Sequence, residues 1–215
     1  MTWNAIMRIT GGQFRGRTLS TPTNNEIRPT SDKVRAAIFN ALGSRIDFNG
    51  LRVLDAFCGT GALGLESLSR GAAHTVFRDI SPTSLKLAQA NVKQLGLEAQ
   101  AIFELGDSSK SPLLRTQKTK DQFFDLVFID PPYRKNLILP LCRCLITQNS
   151  LKPGSLLIIE SEKNLDLESL ENLIQEPIAP DHPPITFQIV FDKTYGDTHI
   201  RFFECLQPLS PESSE

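Results

Sequence analysis

The sequence lacks the features that mark membrane, secreted and metal-binding proteins. No stretch reaches the roughly 20 apolar residues of a membrane helix, and residues 1–12 show no basic-then-apolar signal pattern. We therefore expect a cytoplasmic protein that does not contact a membrane. The cysteines form no C-x-x-C pair and no spaced cluster with histidine, so we expect neither a bound metal nor a disulfide framework. They are Cys58, Cys142, Cys144 and Cys205.

A strong charge bias is also absent. The 215-residue chain has a net charge of −1, with 40% hydrophobic and 22% charged residues, which is typical of a soluble globular protein with one α/β domain. Residues 1–50 nevertheless hold seven Lys and Arg against three Asp and Glu, an excess of four positive charges (seven minus three). This excess of positive charge fits a solvated face as well as a nucleic-acid-binding patch. For the oligomeric state, we expect a monomer.

Apolar runs alternate with helical patterns along most of the chain, which predicts a mostly parallel sheet covered by helices on both faces. The predicted strands are Arg52–Phe57, Thr75–Asp79, Gln100–Leu105, Phe124–Asp130 and Ser155–Glu160. The predicted helices are Ala62–Arg70, Pro82–Leu95, Leu137–Thr147 and a short one near Leu167–Ile174. Two last strands, Ile185–Phe191 and Ile200–Leu206, are joined by a short turn and should be antiparallel neighbours. The expected fold is therefore α/β and Rossmann-like, with a seven-stranded sheet that ends in an antiparallel hairpin.

A small extension precedes this α/β body. Three glycines within Met7–Leu19 predict a β-hairpin with basic strands. An apolar repeat from Val34 to Leu42 predicts a helix that is capped by Thr30 or Ser31 and ended by Gly43. The sequence thus divides into an N-terminal extension (1–45), an α/β domain (46–207) and a disordered tail (208–215).

The first motif with chemical content is Val53–Gly64, in which a strand turns through glycines into a helix. Its spacing, with Gly59, Gly61 and Gly64, satisfies the G-x-G-x-x-G pattern of dinucleotide sites, which alone is a weak signal. Asp55 precedes the glycines and would repel a pyrophosphate, but it would attract the ammonium and sulfonium groups of S-adenosyl-L-methionine (AdoMet). We therefore favour AdoMet over NAD, with an ordinary strand–turn–helix junction as the alternative. Phe57, within the turn, is placed in the same site.

Two further acids follow predicted strands. Asp79 ends the second strand of the domain, where a carboxylate can accept hydrogen bonds from both ribose hydroxyls, and Ile80 can pack against the adenine. A helix-capping role for Asp79 is the alternative, because Ser81 and Pro82 open a helix directly afterwards. Asp107 can accept a hydrogen bond from the adenine amino group, although a turn aspartate fits this position equally well.

The most specific motif is Asp130-Pro131-Pro132-Tyr133, which follows a strongly apolar strand. An exocyclic amine on a nucleobase is a poor nucleophile because its lone pair is delocalised into the ring. The Asp130 carboxylate and the Pro131 carbonyl, held rigid by the prolines, can accept hydrogen bonds from both N–H groups of the amine. These bonds aim its lone pair at a methyl donor. Tyr133 can stack on a flipped-out base. The alternative is a helix-opening loop with a packing tyrosine.

With these residues in place, the chain resembles the bacterial 16S rRNA guanine-N2 methyltransferases of the RsmD type over about residues 7–206. The likeness is carried by residues 8–17, 28–35, 55–64, 130–133, 159–162 and 195–198. It implies the class I AdoMet-dependent methyltransferase fold and methyl transfer to the N2 amine of one guanine in 16S rRNA. The implied partner is 16S rRNA or the assembling 30S subunit.

The resemblance also assigns roles to residues. By it, Asp55, Gly59, Gly61, Asp79 and Asp107 serve AdoMet, and Asp130, Pro131 and Tyr133 hold the guanine amine. The basic residues of the extension would help to hold RNA, and they are Arg8, Arg15, Arg17, Arg28 and Arg35. The chain departs from the family in having Asp79 where Glu is usual and Ser81 where an acid is usual. Two alternatives stay open, namely an amino-methyltransferase acting on DNA adenine, a small molecule or a protein, and a non-catalytic cofactor-binding module.

Overall fold

The computed structural model describes residues 7–21, 32–110, 123–132, 135–163 and 186–206. Its helices are α1 (Asp32–Gly43), α2 (Ala62–Ser69), α3 (Pro82–Leu95) and α4 (Ile138–Thr147), with a 3-10 turn at Glu98–Gln100. Its first strands are β1 (Met7–Arg8), β2 (Thr18–Leu19), β3 (Arg52–Asp55), β4 (His74–Asp79) and β5 (Ala101–Leu105). The others are β6 (Phe124–Ile129), β7 (Leu151–Glu162), β8 (Thr186–Tyr195) and β9 (Thr198–Leu206). None of the helices in these ranges is long and apolar enough to cross a membrane.

Seven strands form the central sheet in the order β5-β4-β3-β6-β7-β9-β8. All neighbours are parallel except β9, which runs antiparallel to both β7 and β8. The predicted fold class is confirmed, including the C-terminal antiparallel hairpin. The strand order reverses between β3 and β6, and a crevice at the carboxyl ends of strands at such a switch point is where open α/β sheets bind ligands.

Local sequence signals account for most of the element boundaries. Helix α3 has the predicted bounds, because the Ser81 hydroxyl caps its first turn, Pro82 fits the first position and Gly96 adopts the left-handed conformation at its end. Strand β7 begins four residues earlier than predicted, since the chain passes through Pro153 and Gly154 without leaving the sheet. The predicted helix at Leu167–Ile174, the caps at Thr30 and Ser31, and the tail at 208–215 lie outside the described residues.

The N-terminal hairpin, β1 paired antiparallel with β2, is confirmed and packs on the α/β body. Met7, Ile9 and Leu19 belong to the same apolar cluster as the residues of α1 and one face of the sheet. Across this cluster, the ring of Phe39 in α1 contacts that of Phe128 in β6 at 5.5 Å between centroids. The hairpin and α1 therefore share one core with the sheet.

A buried carboxylate on α2, Glu66, fixes the position of the hairpin. Its oxygens accept hydrogen bonds from the backbone N–H of Thr10 (2.7 Å) and from the Thr10 hydroxyl (2.8 Å). Arg70 pairs with the same carboxylate at 2.9 Å, and Arg35 lies 3.8 Å from it. Gly12 has a φ of +74°, and a Cβ there would lie 1.9 Å from the carbonyl oxygen of Ser69. The hairpin backbone therefore sits directly against the end of α2.

Candidate active site

Acidic side chains lie at or near the carboxyl ends of adjacent strands along one face of the sheet. Val53, Phe77, Phe128 and Ile158 belong to one apolar cluster, and two residues further along each strand come Asp55, Asp79, Asp130 and Glu160. Strand alternation places all of these acids on the same sheet face. Asp55 pairs with Phe77 in β4 and with Phe128 in β6. It therefore lies two residues deeper in the sheet than Asp79 and Asp130. The structure therefore brings three of the four aspartates predicted for the site, Asp55, Asp79 and Asp130, to one edge, on both sides of the switch point.

The glycine turn brings α2 close to the sheet beneath this edge. Gly61 begins α2 with a left-handed backbone (φ 78°), and its Cβ position lies 3.1 Å from the Cβ of Ala88 in α3. A Cβ on Gly64 would lie only 2.4 Å from the ring of Phe77. Gly61 is thus required for the turn and Gly64 for helix–sheet contact, as in the first helix of dinucleotide folds.

Asp55 is a buried acid whose charge has little compensation. Its Oδ2 accepts a hydrogen bond from the backbone N–H of Gly64 at 2.9 Å, the one polar contact that the described residues give it. Burial raises the pKa of Asp55 to about 7, the Gly64 bond opposes this rise, and the charges of Asp130 and Asp79 add to it. Asp55 therefore titrates near neutral pH, and a cation bound beside it would favour its ionised form.

Asp79 supports two loops at the end of β4. Its Oδ2 accepts from the backbone N–H of Gly59 (2.9 Å), and its Oδ1 accepts from that of Ser81 (2.8 Å). The carboxylate thus holds the glycine turn against the start of α3, a capping role that the sequence left open. Each oxygen keeps a second lone pair, so these bonds leave room for a ribose hydroxyl.

Apolar surface lies next to Asp79. Ile80 is 66% exposed and Leu105, which pairs with Asp79 across β4 and β5, is 58% exposed. Asp107 follows Leu105 and accepts hydrogen bonds from the N–H (3.0 Å) and hydroxyl (2.6 Å) of Ser109. These bonds lower the pKa of Asp107 and show that it serves the turn. Phe57, partly buried, packs against the opposite apolar cluster of the sheet.

Asp130 and the two prolines continue β6 on the opposite side of the switch point from β3. Asp130 is half-buried, Pro131 is buried and Pro132 is exposed, while Tyr133 lies outside the described residues. The last residues of β6 are held on both sides, by β3 and by β7. The Asp130 carboxylate and the Pro131 carbonyl therefore start from a rigid sheet edge next to Asp55.

The cysteines are unsuited to nucleophilic catalysis. Burial raises the pKa of the thiol at all four positions, to about 12 at Cys142 and about 11 at Cys205. At Cys58, inside the glycine turn, the charges of Asp55 and Asp79 raise it further. A thiolate is the nucleophilic form of cysteine, so these side chains stay inert near neutral pH. Within the described ranges no group of three or more metal-binding side chains occurs.

The basic residues of the extension divide into exposed and buried ones. Arg8, Arg15 and Arg17 are exposed on the hairpin, and Arg28 lies outside the described residues. The prediction of an RNA contact for Arg35 is corrected, because its side chain is 0% exposed. Its guanidinium donates to the carbonyl of Arg8 and to Asp32, so it holds the hairpin to α1.

Two features of the site escaped the sequence analysis. Glu160 in β7 follows Ile159, the partner of Ile129 in β6, and Asn91 of α3 donates to the carbonyl of Thr60 in the glycine turn at 2.9 Å. The periodicity of α3 marked Asn91 only as a helix residue, since its partners are distant in sequence. Residues 159–162 carry part of the family resemblance and include Glu160, but the resemblance assigned no role to this side chain.

Relatives of the chain are found over nearly its whole length. Residues 7–204 match the family described as Conserved hypothetical protein 95. The ribosomal RNA small subunit methyltransferase D of Haemophilus influenzae is 34% identical over 166 residues, covering 77% of this chain and 84% of its own. The protein of the same name from Escherichia coli K12 is 35% identical over 156 residues, covering 73% and 75%.

Solved structures share the fold. The Escherichia coli protein yhhF, named as a candidate methyltransferase, has a TM-score of 0.70 at 27% identity and covers 94% of this chain and 98% of its own. A Pyrococcus abyssi tRNA (uracil-54, C5)-methyltransferase, solved with S-adenosyl-L-homocysteine, has a TM-score of 0.55 at 18% identity, covering 85% and 40%. The chain therefore belongs to the Conserved hypothetical protein 95 family, the RsmD-type methyltransferases, with the Rossmann-like fold that the sequence predicts.

Proposed function

We propose that this protein transfers a methyl group from AdoMet to the exocyclic N2 amine of one guanine in small-subunit rRNA. The observation that carries the proposal is the placement of Asp55 and Asp130 on adjacent parallel strands, one on each side of the switch point. The side of Asp55 fits a cationic methyl donor, and the side of Asp130 fits an amine that accepts the methyl group. The names of the relatives, which specify small-subunit rRNA, support the substrate class.

The residues of β3 and β4 fit the proposed donor. AdoMet, when bound, supplies an electrophilic methyl group on a cationic sulfur. Asp55 would face its positive charges, because a buried carboxylate with a pKa of about 7 is stabilised by a neighbouring cation. Asp79 would accept from the ribose hydroxyls with its remaining lone pairs, and the exposed side chain of Ile80 would cover the adenine. Asp107, committed to its turn, would take the adenine amine with its second oxygen.

The residues after β6 would prepare the acceptor. The Asp130 carboxylate and the Pro131 carbonyl would accept the two N–H bonds of the amine, which draws electron density onto its nitrogen and turns the lone pair towards β3. Tyr133 would stack on the extruded base and offset part of an unstacking cost of a few kcal/mol. Because the sheet fixes this edge, Asp130 and Pro131 need little reorganisation when the base arrives.

The inert cysteines favour an amine over a ring carbon as the acceptor. Methylation of a pyrimidine carbon through a covalent intermediate requires a thiolate, and the pKa of every thiol in this chain is raised. Direct transfer to nitrogen needs hydrogen-bond acceptors instead, and the edge provides them. An adenine amine in DNA presents the same two N–H bonds, so it is the alternative acceptor.

The exposed face of the hairpin is proposed to hold RNA. Arg8, Arg15 and Arg17 project from a segment that Glu66 and Gly12 fix to the methyltransferase body. Phosphate neutralisation by such arginines releases counterions and adds affinity without sequence selectivity. We therefore expect the hairpin to position the RNA and the Asp130 edge to select the amine.

The test is a transfer assay with tritiated AdoMet against 30S particles from cells that lack the gene, deproteinised rRNA, DNA and protein. Label is expected in small-subunit rRNA, with N2-methylguanosine identified by mass spectrometry of nuclease fragments. Asp130→Ala should lower transfer by more than a hundredfold while AdoMet binding persists, and Glu98→Ala, an exposed acid far from the edge, should leave both unchanged. Label in DNA alone, or normal turnover by Asp130→Ala, would contradict the proposal.

A further inference from the structure

Asn91 connects the cofactor turn to the N-terminal hairpin. Its side chain is fully buried in α3 and makes three hydrogen bonds. The Nδ2 group donates to the carbonyl of Thr60 at 2.9 Å and to that of Ser20 at 3.1 Å, and Oδ1 accepts from the N–H of Ser20 at 2.7 Å. Thr60 lies between the glycines of the turn, and Ser20 directly follows β2. One amide therefore bonds to both segments at once.

Neighbouring contacts join the same two segments. The Thr60 hydroxyl donates to the sulfur of Met7 in β1 at 3.5 Å. Gly61, the next residue of the turn, packs on Ala88, one helical turn before Asn91. The turn that would hold AdoMet and the hairpin that would hold RNA are thus packed on one side of α3, with Asn91 between them.

The hydrogen bonds of Asn91 require an amide side chain and not only a side chain of the same volume. Both amide hydrogens and one oxygen lone pair are used, and all the partners are backbone groups that a buried side chain of another type would leave unsatisfied. A shift of Ser20 relative to α3 would break two of these bonds. Any displacement of the hairpin is therefore transmitted to the amide that holds the carbonyl of Thr60.

We propose that Asn91 is a positioning residue that makes the cofactor turn and the hairpin one unit, so that AdoMet and rRNA bind with positive coupling. The coupling rests on the proposed function, because it requires rRNA to bind at the hairpin. The effect on the cofactor turn does not require RNA. Each partner, by holding its own segment in place, lowers the entropic cost of ordering the segment that the other partner needs.

The experiment is equilibrium dialysis with tritiated S-adenosyl-L-homocysteine, which prevents turnover, with and without small-subunit rRNA transcribed in vitro. We expect rRNA to tighten binding by the wild-type protein about fivefold or more. Asn91→Asp, which loses both donated bonds, should weaken binding without RNA and bring the ratio of the two dissociation constants close to one. Should Asn91→Asp fail to fold, Asn91→Ser removes the same bonds with less volume and no charge.

Gln94→Ala is the matched control. Gln94 lies three residues after Asn91 in α3 and donates to the carbonyl of Thr18 in the hairpin at 3.0 Å, the one side-chain hydrogen bond that the described residues give it. It should keep the wild-type ratio, and the melting temperature of each variant shows how much fold is lost. A ratio of one in the wild type, or the wild-type ratio in Asn91→Asp, overturns the coupling. Unchanged binding by Asn91→Asp without RNA overturns the positioning role, whereas a failure of the proposed function appears separately, as absent rRNA methylation by the wild type.

Discussion

Asp55 and Glu66 are both buried carboxylates on the same strand–turn–helix segment, yet their surroundings are opposite. Glu66 is enclosed by Arg35, Arg70 and Thr10, so its charge is compensated inside the protein. Asp55 receives a single backbone N–H among the described residues, and its neighbours Asp79 and Asp130 repel it. The difference teaches that burial alone does not assign a role. A compensated acid holds the fold together, and an uncompensated one indicates a site for a cation.

The largest expected effect is the loss of unfolding free energy when the compensated acid, Glu66, is removed. Glu66→Ala leaves the buried guanidinium of Arg35 with less compensation, and breaking such a pair typically costs about 3–5 kcal/mol. We expect a large loss in urea denaturation, together with loss of the hairpin contacts. The control is Asp192→Ala, which removes a half-exposed acid paired with Arg201 and His199 and should cost about 1 kcal/mol. Equal losses in the two variants would show that Glu66 contributes no more to stability than an exposed acid does.

The same amide substitution should act in opposite directions at the two positions. Asp55→Asn keeps an acceptor for Gly64 and removes a charge that burial disfavours, so the free protein should gain stability on the order of 2 kcal/mol at pH 8. Glu66→Gln should lose stability under the same conditions. Asp55→Asn should also weaken AdoMet binding by about a hundredfold, the value of a charged hydrogen bond of roughly 3 kcal/mol. Urea denaturation and calorimetry measure the two effects, and a less stable Asp55→Asn protein would contradict the assignment.

The pH dependence sharpens the assignment of Asp55. Its folded pKa, raised from 3.8 to about 7, means that the free protein binds a proton more tightly than the unfolded chain does. The stability from this group is therefore complete below the unfolded pKa and is lost as pH rises towards 7. A cationic ligand prefers the ionised form, so AdoMet affinity should rise about fivefold from pH 6 to pH 7, as the ionised fraction of an acid with a pKa of about 7 does. Titration calorimetry should show this slope in the wild type and a nearly flat profile in Asp55→Asn.

The smallest effect concerns the exposed arginines of the hairpin. Arg15→Ala and Arg17→Ala should each reduce the slope of log affinity for rRNA against log salt by about 0.7–0.9, because each phosphate contact releases counterions. Arg45→Ala removes an equal charge from an exposed residue outside the hairpin and should leave the slope unchanged. Filter binding between low and moderate salt measures it. An equal change in all three variants would indicate only a general charge effect.

Local signals explain what could be predicted from the sequence. Asp55, Asp79 and Asp130 were placed at strand ends because apolar strands stop at glycine or proline punctuation, and these signals lie within a few residues. The role of Arg35 could not be predicted in this way. Its partner Glu66 is 31 residues away, and a charged residue on a solvent-facing helix position has the same local pattern as a buried one. Asn91 escaped for the same reason, with Ser20 at a separation of 71 residues.

The register of the sheet set the same limit. Alternation of apolar residues indicated which residues face a core. It did not indicate that Asp55 would lie opposite Phe128, two residues deeper in the sheet than Asp130. The first residues of β7 were likewise missed, since Pro153 and Gly154 are typical of turns, and their place in the strand depends on pairing with β6.

The proton on Asp55 has a consequence for the whole catalytic cycle. Near pH 7 a cationic cofactor would expel this proton as it enters, and the empty protein would recover it after the neutral thioether product departs. Each turnover would then move one hydrogen ion out of the interior and back again, apart from the one that the methylated amine releases. The heat of cofactor binding should accordingly vary with the ionisation enthalpy of the buffer.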